Sequence, residues 1–153
     1  VLVFPADSGL EPIYVMFRDR RSEPGVATGA GEAVAGAWLP NAGTDLGAPI
    51  PSQIAQKLRG REFASFDRMR EAVWMEVALD ENLAAQFSTQ QRKLMSQGIS
   101  PFAPVADQVG GRVKYELHHD DPIAVGGAVY DVDNLRVLTP KRHIEIHSNK
   151  GGN

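Results

Sequence analysis

Tyr115-Glu116-Leu117-His118-His119-Asp120 and Thr139-Pro140-Lys141-Arg142-His143-Ile144-Glu145-Ile146-His147 hold every histidine of the chain, 4 in all. Around the first pair, Val113 to His119 alternates as a strand does. Asp121 to Asp131 contains Pro122, Gly126 and Gly127 and is expected to be a loop, after which Asn134 to Leu138 is expected to be a second strand. Thr139 suits an N-cap and Pro140 a first helical position, so a helix is expected over Lys141 to Lys150, stopped by Gly151. The unit is strand, loop, strand, helix. On that helix His143 and His147 stand one turn apart and project from one face, with room for a metal ion between them. On the strand, His118 and His119 point to opposite faces, so one of them can join the helical pair while the other is left for a different task.

Three imidazoles with an open position make a catalytic rather than a structural metal count. Neutral imidazoles leave the full charge on a divalent ion, which suits an anionic phosphodiester oxygen better than a carboxylate cage would. The remaining histidine, with an ordinary pKa of ~6.5, can take a proton from water as a general base. A zincin protease is the competing metal enzyme, but the helix reads His143-Ile144-Glu145-Ile146-His147 and not H-E-x-x-H.

Working outward, Ser52 to Arg59 is expected to be a short helix closed by Gly60. Ser65 should cap a longer one along which Phe66, Met69, Val73, Trp74 and Val77 form a single apolar stripe. Asp80 and Ser88 read as two further N-caps, the second forming a capping box with Gln91, and Gly98 as a stop. Ser22 to Gly36, with four glycines, is loop or irregular strand. Ile13 to Phe17 forms a short apolar run that ends in the cluster Arg18-Asp19-Arg20-Arg21, read as a linker boundary. Residues 1–19 are accordingly expected to be the end of a preceding domain or a linker, with 20–153 as the functional domain. A start at Val1 is expected of a piece of a longer protein. Zero cysteines among 153 residues exclude disulfides and thiolate sites, so a metal must sit on His, Asp or Glu. No run is long and apolar enough for a membrane helix. The formal charge of -3 speaks against a general polyanion binder.

The run 115–120, then Gly126-Gly127, Val129-Tyr130-Asp131, Asp133-Asn134 and the run 139–147 together resemble the HNH nuclease domain of DNase-type bacteriocins, the nuclease colicins and S-type pyocins. The likeness extends upstream through Pro24-Gly25, Ala27-Thr28-Gly29, Trp38-Leu39, Asn41-Ala42-Gly43, Asp45-Leu46-Gly47, Pro49-Ile50-Pro51 and Glu62-Phe63. It covers roughly 20–150, and the extra residues before it favour the pyocin branch. The resemblance implies an α+β, mainly helical fold with a C-terminal ββα-metal motif packed on short helices, and an activity of non-specific, metal-dependent DNA cleavage inside a rival bacterium. It implies His118, His143 and His147 as metal ligands and His119 as the base. Asn134 would brace the loop between the strands, Arg21 would reach the scissile phosphate, and Arg112 with Glu116 would form a charged pair lining the site. On the residues alone Arg21 is a solvated linker charge, and Arg112 with Glu116 an exposed strand pair. Lys141 and Arg142 face DNA or are merely solvated.

The same resemblance implies a small acidic immunity protein, bound beside the active site through Arg92, Lys93, Ser100, Pro101 and Phe102, although Phe102 on its own reads as core. It further implies synthesis in the producer cytoplasm with that inhibitor, release, and action in the target cytoplasm without membrane contact by this domain. The expected cofactor is one divalent ion, zinc, nickel or magnesium. Alternatives are a structural-metal nucleic-acid-binding module, another HNH nuclease, or a nuclease acting on RNA. Because relatives are markedly basic and this chain is not, a shallow salt dependence of DNA binding is expected.

Overall fold

The computed structural model describes residues 19–151, so the apolar run at 13–17 and nearly all of the expected N-terminal segment lie outside the described residues. Among the described residues, five short strands and five α-helices make an α+β fold: β1 (Gly25–Val26), β2 (Ala48–Pro49), α1 (Ser52–Leu58), β3 (Glu62–Phe63), α2 (Phe66–Leu79), α3 (Glu81–Ala84), α4 (Thr89–Ser96), β4 (Glu116–His119), β5 (Leu135–Leu138) and α5 (Pro140–Gly151). β1 pairs antiparallel with β3, and a separate antiparallel sheet runs β2-β5-β4.

Apart from α1, which follows Pro51 without a side-chain cap, the helices begin where a side-chain oxygen can satisfy an orphan N–H. Ser65 accepts from Arg68 N, Asp80 from Leu83 N at 2.9 Å and Ser88 from Gln91 N at 3.2 Å. All five members of the α2 stripe are buried. They pack in a core with Trp38, whose ring lies 6.0 Å from that of Trp74 and whose indole N–H donates to the Pro49 carbonyl. Arg20–Ser22, just after the start of the described residues, form a 3-10 turn capped by Asp19, whose carboxylate accepts from Arg21 N at 3.0 Å.

Two strand expectations are corrected. The first strand covers Glu116–His119 rather than 113–119, because Val113 and Tyr115 give their backbone bonds to Ala103 and Pro101. The second begins at Leu135, since Asn134 closes a 3-10 turn. Two-residue β2, edged by Pro49 against Arg136, is an addition that no alternation could reveal. In β4 and β5, Glu116 faces Leu138 and His119 faces Leu135 across the ladder, while α5 packs against β4.

Candidate metal centre and active site

Alternation along β4 sends the two adjacent imidazoles apart. His118 is buried toward α5, and its Nδ1 lies 3.2 Å from His143 Nε2. His147, one helical turn on, brings its Nε2 to 3.0 Å from the same atom. One nitrogen from each of His118, His143 and His147 falls within 4.8 Å of the others. Thr139 starts the helix that carries two of them, its Oγ1 accepting from Arg142 N.

The chemistry of this donor set fits a metal ion. His143 Nδ1 is 2.8 Å from Glu116 Oε1. Burial pushes the Glu116 carboxyl up, but its bonds and charge interactions with Arg112 and His143 together hold it below the usual carboxylate range, so it is an acceptor. Nδ1 must then carry the proton, which leaves Nε2 with a lone pair aimed at His118 and His147. Imidazole nitrogens converging in this way can share one cation, and they suit zinc-like ions. Arg112 grips Glu116 with two bonds, Nε to Oε2 at 2.9 Å and Nη2 to Oε1. The pair therefore orients a candidate ligand rather than standing idle on the strand.

His119 has a different environment. Its Nε2 is 3.0 Å from the Val129 carbonyl, which can only accept, so the proton sits on Nε2 and Nδ1 is left as a base. Burial lowers its pKa, the Val129 bond opposes this, and the charges of Arg21 and Arg20 lower it further, so the ring is neutral at neutral pH. The ring packs on Phe66 with centroids 4.6 Å apart, and the Arg21 guanidinium lies 5.2 Å from the centroid of the same phenyl. Asn134 staples the intervening loop: its Oδ1 accepts from Asp121 N at 2.7 Å while its Nδ2 donates to the Ala128 and Asp121 carbonyls. The loop turns so tightly that a Cβ on Gly127 would lie 1.9 Å from Asp121 O.

Of the other sequence-derived candidates, Lys141 is exposed at the start of α5. Arg142 is engaged within the fold, Nε donating to Asp45 O and Nη1 pairing with Glu145. Arg92 and Lys93 are exposed on α4, and Ser100 is half-buried. Phe102, read from the residue alone as core, is 41% exposed, with Lys114 Nζ 5.6 Å from its ring centroid. Pro101 lies buried behind it, its carbonyl accepting from Tyr115 N. A cleft of about 650 Å³, lined in part by Arg21, Arg70, Ser100, Lys114, Glu116 and His143, joins this region to the metal centre. Sequence reasoning missed Val129, which acts through its main chain and leaves no side-chain signal. It assigned Phe66 only to the core stripe.

Residues 25–149 match the family model described as Colicin/Pyocin-S2, DNase domain. Pyocin-S1 and Pyocin-S2 of Pseudomonas aeruginosa are 52% and 53% identical over 152 residues, 99% of this chain but only 24% and 22% of those proteins. The chain thus spans about a quarter of the length of these relatives. The crystal structure of the mutant nuclease domain of pyocin S8 with its cognate immunity protein is similar at a TM-score of 0.79 and 55% identity, covering 80% of this chain and 98% of that one.

Proposed function

The chain belongs to the colicin and pyocin DNase family, and from that premise we propose that it hydrolyses double-stranded DNA without sequence preference through His118, His119, His143 and His147. The observation that carries the mechanism is the division of labour on β4, with one imidazole turned to the two on α5 and its neighbour held by a backbone carbonyl. His118, His143 and His147 would hold one divalent ion, zinc, nickel or magnesium, which when bound supplies a Lewis acid for the phosphate oxygens. His119 Nδ1 accepts the proton of the attacking water, and Val129 keeps that nitrogen unprotonated and aimed. Arg21 offsets charge on the phosphorus in the transition state. Glu116, clamped by Arg112, holds His143 in its ligating tautomer, and Asn134 holds the loop that carries Val129. Cleavage leaves 5'-phosphate ends.

In the cell, the domain serves as the cytotoxic part of a bacteriocin, made in the producer cytoplasm with an acidic immunity protein, then released to act in the target cytoplasm. Exposed Phe102, with Lys114 against its ring, is the anchor of that contact, with the exposed Arg92 and Lys93 of α4 as further contacts, and Phe102→Ala should weaken inhibitor binding by about 2 kcal/mol or more. Titration calorimetry giving an unchanged affinity would remove Phe102 from the interface.

Plasmid nicking by metal-stripped protein tests the activity itself. Cleavage restored by an added divalent ion, with RNA of equal length left intact, is expected. Tight metal binding without cleavage of either nucleic acid would make the centre structural.

A further inference from the structure

We propose that Phe66 is a positioning residue whose buried ring holds the Arg21 guanidinium beside His119, ready for the scissile phosphate. The proposal rests on the nuclease reading above and extends it to a residue whose sequence pattern shows only core.

Phe66 opens α2 directly after its Ser65 cap and is 1% exposed. The ring belongs to the hydrophobic core, but it also meets three functional segments at once: His119 of β4 at 4.6 Å, Tyr130 of the stapled loop edge-on at 6.5 Å, and Arg21 of the N-terminal turn at 5.2 Å. The main chain of that turn is fixed by other groups. Asp19 caps it, Arg20 Nη1 donates to Ile123 O at 3.1 Å, and the Tyr130 hydroxyl donates to Glu23 O. Tyr130 can lie so close only because residue 25 is glycine, where a Cβ would fall 2.2 Å from its ring. These contacts place the backbone of Arg21, but none of them orients its guanidinium.

An aromatic face suits that task better than a carboxylate. A carboxylate would occupy the N–H fork and cancel its charge, whereas a phenyl ring attracts the cation through its face and leaves the in-plane donors for phosphate oxygens. The same ring backs the base, so one side chain sets the spacing between the group that takes the proton and the group that receives the charge.

A double-mutant cycle tests this by kcat for plasmid nicking in magnesium, with wild type, Phe66→Leu, Arg21→Ala and the double variant. Phe66→Leu keeps the site apolar and should lower kcat roughly tenfold, within the range of a cation–π contact. In the Arg21→Ala background the same change should cost less than about twofold, because there is no cation left to position. An equal cost in both backgrounds would reduce Phe66 to packing and overturn the proposal while sparing the nuclease reading. Wild-type rates for Arg21→Ala would instead remove Arg21 from the chemistry and the proposal with it. Independently of any variant, NMR of the wild-type protein should show Arg21 guanidinium protons shielded by the ring current of Phe66. Unshielded resonances would contradict the stacking.

Discussion

A histidine accepts a proton only through a nitrogen that carries none, so the partner of its other nitrogen decides its role. Glu116 makes that decision for His143 and the Val129 carbonyl makes it for His119, and the two rings are thereby set to different tasks. Replacing Glu116 by glutamine keeps the shape but allows an N–H to face His143, which would favour the wrong tautomer. Metal affinity of Glu116→Gln, measured by calorimetry, should fall about 10–100-fold, the usual effect of losing such an outer partner. An unchanged affinity would mean that the Arg112–Glu116 pair serves only the surface. The four histidines were legible as a cluster from the sequence because a helical turn and a strand step fix which rings can meet. The Val129 carbonyl was not legible, since every residue carries one and only the loop path selects it.

At the scale of elements, the loop between β4 and β5 has little regular structure of its own and depends on Asn134. Three bonds from one buried amide tie residues 121 and 128 together across the turn. Asn134→Ala should cost roughly 2 kcal/mol or more in urea unfolding, from bonds worth about 0.5–1.5 kcal/mol each and a stranded buried partner. It should also slow nicking, because the loop that carries Val129 loosens. Full stability in this variant would deny Asn134 the bracing role. Three of the helices were legible because they advertise their starts: Ser65, Asp80 and Ser88 all make the capping bonds that their residue types suggest. The strands were less so. Val113 to Tyr115 alternates like an extension of β4 yet bonds to 101–103, a choice made by tertiary contact rather than local pattern. The exposure of Phe102 was equally hidden, because an isolated aromatic beside prolines reads as core until the surface is known.

For the whole molecule, the coupled charges make stability depend on pH in one direction. Burial leads in lowering the pKa of both His119 and His143 below 6.5, so between the native and unfolded values the unfolded chain binds protons that the native state refuses. Stability of the metal-free domain is therefore complete above about pH 6.5 and falls as pH drops through the native values. Glu116, with its lowered carboxyl, adds a further loss at lower pH, since its protonation would release Arg112 and His143. Denaturant midpoints that stayed level from pH 7.5 to 5 would contradict this. The net charge of -3 bears on substrate binding in the same global way. If, as proposed, contacts with phosphates come from a few residues such as Arg21 and Lys141 rather than from a basic surface, log affinity should fall with log salt by a slope well below that of binders making 6–10 phosphate contacts. A slope as steep as theirs would point to a larger basic footprint.

In the proposed mechanism His119 takes the proton from water while its neighbour serves the metal. Its most direct measurement is the nicking rate of His119→Ala against wild type, with metal affinity determined in parallel. The rate should fall by about 10²- to 10⁴-fold while metal affinity stays at the wild-type value, because the base is not a ligand. Near-wild-type nicking, or loss of the metal together with the activity, would contradict it.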